Sequence, residues 1–91
     1  MTRYTVTATL KAENDLANLW MRSSDRAAVS KAANTIDRML REDALRKGCD
    51  APLGMRQLIV SPLIADFTVD EEDRKVTIWS LRHIGELSNG R

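Results

Sequence analysis

The 91-residue sequence predicts an α+β fold, in which a helical hairpin packs on one face of a small antiparallel sheet. Three observations support this prediction. One segment of alternating residues opens the chain, two stretches with helical spacing follow it, and three more alternating segments come next. The predicted order is therefore β-α-α-β-β-β. A chain of this length has room for one domain, which we place over residues 1–91.

The first strand is predicted over about residues 3–9, where apolar residues alternate with threonines as in a half-buried strand. The helical hairpin is predicted over about residues 10–45, since both of its halves carry an apolar stripe at three- and four-residue spacing. The stripes consist of Ala12, Leu16, Leu19 and Trp20 in the first helix and of Val29, Ala33, Ile36 and Leu40 in the second. The polar segment Ser23–Asp25 separates the two helices, because such residues favour a helix N-terminus.

Three more strands are predicted over about residues 55–60, 63–69 and 74–82, after a segment rich in glycine and proline ends the second helix. Pro62 separates the first two of these strands, because proline cannot donate a hydrogen bond to a central ladder. Four consecutive acidic residues, Asp70 to Asp73, form the turn before the last strand.

Strict alternation assigns the residues of the last strand to two faces. In this prediction Val76 and Ile78 lie on one face, whereas Trp79 and Leu81 lie on the other. The tail over residues 85–91 has little apolar content, and we expect it to fray.

The charge of the chain excludes one class of protein. Fourteen Lys and Arg residues against thirteen Asp and Glu residues give a formal net charge of +1, which argues against a protein that coats nucleic acid by charge alone. The charge is unevenly distributed, since the helical part is modestly basic and the last two strands with their turn are acidic.

The single cysteine and the lack of long apolar runs indicate the cellular compartment. Cys49 is the single cysteine, so no intramolecular disulfide can form, which suits a reducing environment. The sequence has neither the apolar core of a secretory signal nor a run of about 18 apolar residues that could span a membrane. We therefore expect a cytoplasmic protein that does not enter a membrane. We expect no cofactor and no metal, because the acidic turn lacks the spaced ligands of a calcium loop.

Three segments of the chain resemble the RelE/ParE toxin superfamily of bacterial type II toxin–antitoxin modules, and together they cover residues 3–83. These segments are YTVTATLKAENDLANLW, RAAVSKAANTIDRML and MRQLIVSPLIADFTVDEEDRKVTIWSLRH. The likeness is strongest at Arg56-x-Leu58, at Phe67-x-Val69-Asp70 and in the final Val-x-Ile-x-x-x-Arg-His. The resemblance implies a growth-inhibiting toxin that a cognate antitoxin protein wraps and neutralises, either as a dimer or as a hetero-oligomer with the antitoxin.

The resemblance leaves two cellular targets open. RelE-like members cleave mRNA on the ribosome without a metal, whereas ParE-like members poison DNA gyrase. For a RelE-like enzyme it implies functional basic residues in the last strands, which correspond to Arg56, Arg82 and His83 here.

The chemistry of RNA cleavage fits these residue types. The reaction needs a proton acceptor, a cation at the phosphate and an acid for the leaving oxygen. A histidine, here His83, can act as a base or as an acid, and arginines bind phosphate well. However, alternation places Arg82 and His83 on opposite faces, so that one of them alone can join Arg56. Arg56 has a second interpretation, in which it pairs with Asp66 or with an acidic residue of the turn.

Two departures from the family pattern favour an alternative function. The nucleases of the family usually open the penultimate strand with a Tyr-Arg pair, whereas Pro62–Ile64 is apolar here, and no lysine lies between Gly48 and Arg74. The alternative is a catalytically inactive member that keeps only partner binding, with Trp79 and Leu81 holding an antitoxin-like helix. A third hypothesis is an unrelated α+β domain that shares the order of elements.

Overall fold

The structure is a computed structural model that describes residues 3–47, 49–50 and 54–84. Its elements in chain order are β1 (Thr5–Ala8), α1 (Leu10–Arg22), α2 (Arg26–Lys47), β2 (Cys49–Asp50), β3 (Arg56–Val60), β4 (Leu63–Asp70) and β5 (Lys75–His83). The predicted β-α-α-β-β-β order is confirmed, and β2 is an additional two-residue strand. The tail predicted to fray lies outside the described residues. Neither of the two described helices is long and apolar enough to cross a membrane.

The strands form one sheet with the spatial order β1-β5-β4-β3-β2. The strands from β2 to β5 pair antiparallel with their neighbours, whereas β1 runs parallel to β5 with Val6 opposite Val76. The sheet is therefore mixed and not wholly antiparallel as expected. The reason is the connection: β3, β4 and β5 are joined by short turns, which give antiparallel pairs, but β1 reaches β5 through the whole intervening chain, and such long connections permit parallel pairing.

The helical hairpin turns within the three residues that separate α1 from α2. The Thr9 hydroxyl accepts a hydrogen bond from the Ala12 amide and caps α1, and the Asp25 carboxylate accepts one from the Ala28 amide and caps α2. Arg26 then joins the two helices, because its guanidinium donates to the Trp20 and Met21 carbonyls at the end of α1. These contacts satisfy helix-end groups that would otherwise lack partners.

The core lies between the helices and one side of the sheet, which we call the helix-facing side. Fifteen buried apolar residues form this core in the described part of the chain, and Ile64 is buried on the other side of the sheet. The largest fully buried side chains are Phe67, Ile36, Leu40, Leu63, Val29 and Val76. On α2 the buried stripe includes Ala32, at 3% exposed, whereas the predicted Ala33 is half-buried at its margin. Burial of this apolar surface is the main stabilising contribution to such a fold.

A bulge in β5 changes which residues face the helices. The pairing with β4 shifts register between Asp66 and Phe67, since Asp66 lies opposite Ser80 but Phe67 lies opposite Ile78. Trp79 is thus the extra residue, and the alternation of β5 changes phase there. As a result Leu81, and not Ser80, joins Ile78 on the helix-facing side.

Candidate functional site

The side of the sheet away from the helices, which we call the outer face, carries a polar cluster around Asp66. The Asp66 carboxylate accepts hydrogen bonds from Gln57 Nε2 at 2.9 Å and from Ser80 Oγ at 2.6 Å. Arg82 adds a bidentate contact, with Nε 3.1 Å from Oδ2 and Nη2 3.0 Å from Oδ1. Three neighbouring strands, β3, β4 and β5, therefore converge on one carboxylate.

These contacts keep Asp66 ionised. Partial burial by itself raises the pKa of the carboxyl group, but the hydrogen bonds from Ser80, Gln57 and Arg82 and the charge of Arg82 outweigh it. The net effect lowers the pKa of Asp66 from its ordinary value of 3.8. At neutral pH the cluster therefore contains one full negative and one full positive charge in direct contact.

The bulge places Trp79 and Ser80 on the outer face together. The Trp79 indole donates a hydrogen bond to Thr68 Oγ1 at 2.8 Å, and its side chain remains 45% exposed. On the other side of the polar cluster, Ile59 of β3 is 57% exposed. The outer face thus presents two apolar side chains on either side of a neutral ion pair, a composition common in protein-binding surfaces.

The structure corrects the expectation that Trp79 and Leu81 share a face. Leu81 is 9% exposed and belongs to the core on the helix-facing side. Its amide donates to the Asp15 carboxylate of α1 at 3.1 Å, which holds β5 against that helix. Of the two residues predicted to bind a partner, Trp79 is therefore the one whose side chain is available on the surface.

The three basic residues predicted to act together lie at separate places. Arg56 is opposite Phe67 in the β3–β4 register and hence on the helix-facing side, whereas Arg82 lies on the outer face. The pairing proposed for Arg56 with Asp66 is not the one observed, because Asp66 binds Arg82. This follows from the register: Gln57, and not Arg56, lies opposite Asp66.

His83 lies in a third place, at the end of β5. It faces a cavity of about 290 Å³ that Leu19, Arg22, Ser23 and Ser24 also line, at the turn between the helices. His83 lies opposite Leu63 and Arg56 opposite Phe67, so the two are four residues apart along β4, or about 13 Å. In the described residues no group of three His, Cys, Asp or Glu side chains is placed to hold a metal ion.

The helical hairpin has an apolar groove that the sequence did not indicate. It has a volume of about 630 Å³ and is lined mainly by α1 residues Leu16, Ala17, Trp20 and Met21, with Ala33 across it. Trp20 is 42% exposed and donates its indole N–H to Ser30 Oγ, and the Arg26 guanidinium lies over its ring at 4.8 Å. Because Trp20 fits the apolar stripe of α1, its spacing alone predicted a core position.

No protein-family model and no curated protein matches the sequence. Solved structures do match. A chain of the RelBE2 toxin–antitoxin complex from Mycobacterium tuberculosis is 23% identical, with a TM-score of 0.74 over 91% of this chain and 93% of that one. A chain of the chromosomal ParDE toxin–antitoxin system from P. aeruginosa is 20% identical, with a TM-score of 0.64 over 90% and 97%.

The archaeal RelE–RelB complex from Pyrococcus horikoshii gives a third match. It has 13% identity and a TM-score of 0.63 over 93% of this chain and 98% of that one. All three likenesses extend over nearly the whole of both chains. The chain therefore has the RelE/ParE toxin fold, as its sequence predicted. At these identities the likeness establishes the fold, and the action of the protein has to be argued from its own residues.

Proposed function

We propose that this chain is the toxin of a toxin–antitoxin pair, that a cognate antitoxin neutralises it, and that it acts by binding a protein target and not by cutting RNA. The first part is supported by the fold, which matches chains of three toxin–antitoxin assemblies nearly end to end. In the ParE-like form of this action, the target is DNA gyrase.

One observation carries the second part: the residues suited to RNA cleavage lie apart. A proton acceptor, a phosphate-binding cation and an acid must all reach one scissile phosphate within about 3 Å each. Arg56 faces the helices, Arg82 lies on the outer face, and His83 lines the cavity beside α1. This separation argues against one phosphate meeting all three side chains, and so supports an action other than the RNA cleavage that the resemblance implied.

The outer face supports the protein-binding action. Trp79 offers a large exposed ring that a hydrogen bond to Thr68 holds in place, and a fixed aromatic side chain is a frequent anchor in protein interfaces. The Asp66–Arg82 pair beside it offers directional polar contacts without net charge.

The test is induced expression in a bacterial host, read by growth, by primer extension on mRNA and by a gyrase supercoiling assay. We expect growth inhibition without mRNA cleavage. The variants Arg56→Ala and His83→Ala should keep the inhibition, whereas Trp79→Ala should weaken it. Trp20→Ala is the matched control, since it removes an exposed tryptophan from the helices and should leave inhibition unchanged.

Two results would contradict the proposal. Cleavage of mRNA that disappears in the His83→Ala or Arg82→Ala variant would establish a nuclease. Normal growth during expression of the wild-type chain would favour the inactive module that only binds a partner. In that case a copurifying antitoxin would still identify the module.

A further inference from the structure

On the outer face, the basic side chains of the strands are paired with acidic ones. Its described strand side chains include two cations, Lys75 and Arg82, and two carboxylates, Asp66 and Asp70. Each cation of β5 faces a carboxylate of β4, since Lys75 lies opposite Asp70 in the register and Arg82 binds Asp66. The face is therefore neutral although it carries basic residues.

The Asp66–Arg82 contact leaves some N–H donors of Arg82 in a position to bind a ligand. A guanidinium has five N–H donors, and Asp66 engages Nε and Nη2, so other donors remain. The Arg82 side chain is also 37% exposed, whereas that of Asp66 is 13% exposed. What weakens Arg82 as a phosphate ligand is the adjacent negative charge, which repels an anion and cancels part of the attraction of the guanidinium.

The cluster holds that charge in place. Gln57 and Ser80 both donate to Asp66, and neither of these side chains is needed to hold Arg82. Because the hydrogen bonds favour the ionised carboxylate, the neutralising charge persists at every pH at which RNA is handled by the cell.

We propose that Asp66 determines what the outer face recognises: its carboxylate neutralises Arg82, excludes the phosphates of RNA and reserves this face for a protein surface. The inference rests on the proposed function, because it explains how the outer face of a RelE/ParE fold is kept from binding nucleic acid. In this proposal Asp66 determines which class of ligand the outer face binds, although Asp66 itself does not contact a phosphate.

The variant Asp66→Asn tests this directly, because it removes the charge and keeps the shape. The new amide still accepts a hydrogen bond from Arg82 through its oxygen. The second hydrogen bond from Arg82 is lost, because the NH₂ group is itself a donor. Ser80 or Gln57, whichever faces that NH₂ group, can rotate to accept a hydrogen bond from it. The guanidinium then stays tied to the amide oxygen and has no opposing charge.

The measurement is the fluorescence anisotropy of a labelled single-stranded oligouridine titrated with the purified full-length chain. We expect Asp66→Asn to bind about tenfold more tightly than wild type at low salt. The plot of log affinity against log salt concentration should steepen by about 0.7, the value for one added phosphate contact on a single strand.

Two controls separate a local effect from a change in total charge. Glu13→Gln makes the same change in net charge at an exposed carboxylate of α1. It should change the affinity less than twofold. The double variant Asp66→Asn with Arg82→Gln should lose the gain, because the proposed phosphate ligand is then absent.

Equal affinities for Asp66→Asn and Glu13→Gln would overturn the proposal. Weaker binding by Asp66→Asn would also overturn it, because it would show that Asp66 orients Arg82 for a phosphate. Circular dichroism checks the fold, and Asp66→Ser replaces Asp66→Asn if the latter does not fold. Loss of the fold in both would assign Asp66 a structural role and also overturn the proposal. The titration needs no toxicity, so its outcome is independent of the growth assay that tests the proposed function.

Discussion

The two sides of strand β4 differ in how their side chains contribute to the structure. Toward the helices it presents Leu63, Ala65 and Phe67, all fully buried and apolar. Toward the outer face it presents Ile64, which is also buried, and then Asp66 and Thr68, which are both engaged in side-chain hydrogen bonds. Burial of a large apolar side chain stabilises a fold by about 1.5–3 kcal/mol, but a typical hydrogen bond contributes about 0.5–1.5 kcal/mol net. The helix-facing side thus maintains the fold, and the outer face can vary with function at lower cost.

The largest expected effect comes from Phe67, on the helix-facing side. Phe67→Ala removes a side chain with no exposed surface, and we expect a loss of about 3–5 kcal/mol in the free energy of unfolding. Urea denaturation followed by circular dichroism measures it. Phe67→Leu is the control and should cost clearly less, since it leaves a smaller cavity. A loss below about 1 kcal/mol for Phe67→Ala would show that the core closes around the gap. The helix-facing side would then not contribute more to stability than the outer face.

An intermediate effect is expected one residue earlier, at Asp66. Asp66→Asn should lower the free energy of unfolding by about 1–2 kcal/mol at neutral pH, less than for a fully buried charge because Arg82 is partly exposed. The folded-state pKa of Asp66 is lowered, so its contribution is fully present above the unfolded value of 3.8 and is lost as the pH falls through the lower folded value.

The pH dependence of this contribution is the sharper measurement. Wild type should lose stability in acid below about pH 4, and the difference from Asp66→Asn should shrink there. Urea titrations over a series of pH values give both curves. A difference that stays constant down to the lowest pH would mean that the carboxylate charge does not stabilise the cluster.

The smallest effect is expected at Thr68, the next outer-face residue. Thr68→Val keeps the β-branched shape but removes the acceptor of the Trp79 indole hydrogen bond, which is exposed. We expect at most about 1 kcal/mol, together with a change in tryptophan fluorescence as the ring loses its fixed orientation. Trp79→Phe should cost a similar amount. A loss as large as that of Phe67→Ala would place Thr68 and Trp79 among the residues that maintain the fold.

The sequence predicts the helix-facing side better than the outer face, for a physical reason. Periodicity reports burial, and the buried stripe of α2 follows it to within one residue. In α1 the predicted stripe buries Ala12 and Leu19 but leaves Trp20 exposed. The position of Ala33 was a one-residue error, since Ala32 lies deeper. The parallel pairing of β1 with β5 was outside the reach of local patterns, because nothing within either strand specifies a partner so distant in the chain.

The candidate site depended on the bulge, which strict alternation misses. Its one signal is the spacing of Val76, Ile78 and Leu81, in which two residues separate the last pair where alternation allows one. That spacing moves Leu81 into the core and brings Ser80 beside Asp66. Arg56 and Arg82 were grouped because the resemblance implies functional basic residues in the last strands, but the register sends them to opposite sides of the sheet.

The place of β5 in the sheet also limits when the protein can fold during its synthesis. β5 is the described strand that is synthesised last, and it lies between β1 and β4. β1 has no other partner in the described sheet. Until β5 leaves the ribosome, Val6 and the neighbouring Tyr4 cannot complete their burial against it, and closing so long a stretch of chain is a slow step. A chain truncated before β5 cannot form the described sheet, so the activity that we propose requires translation through that strand.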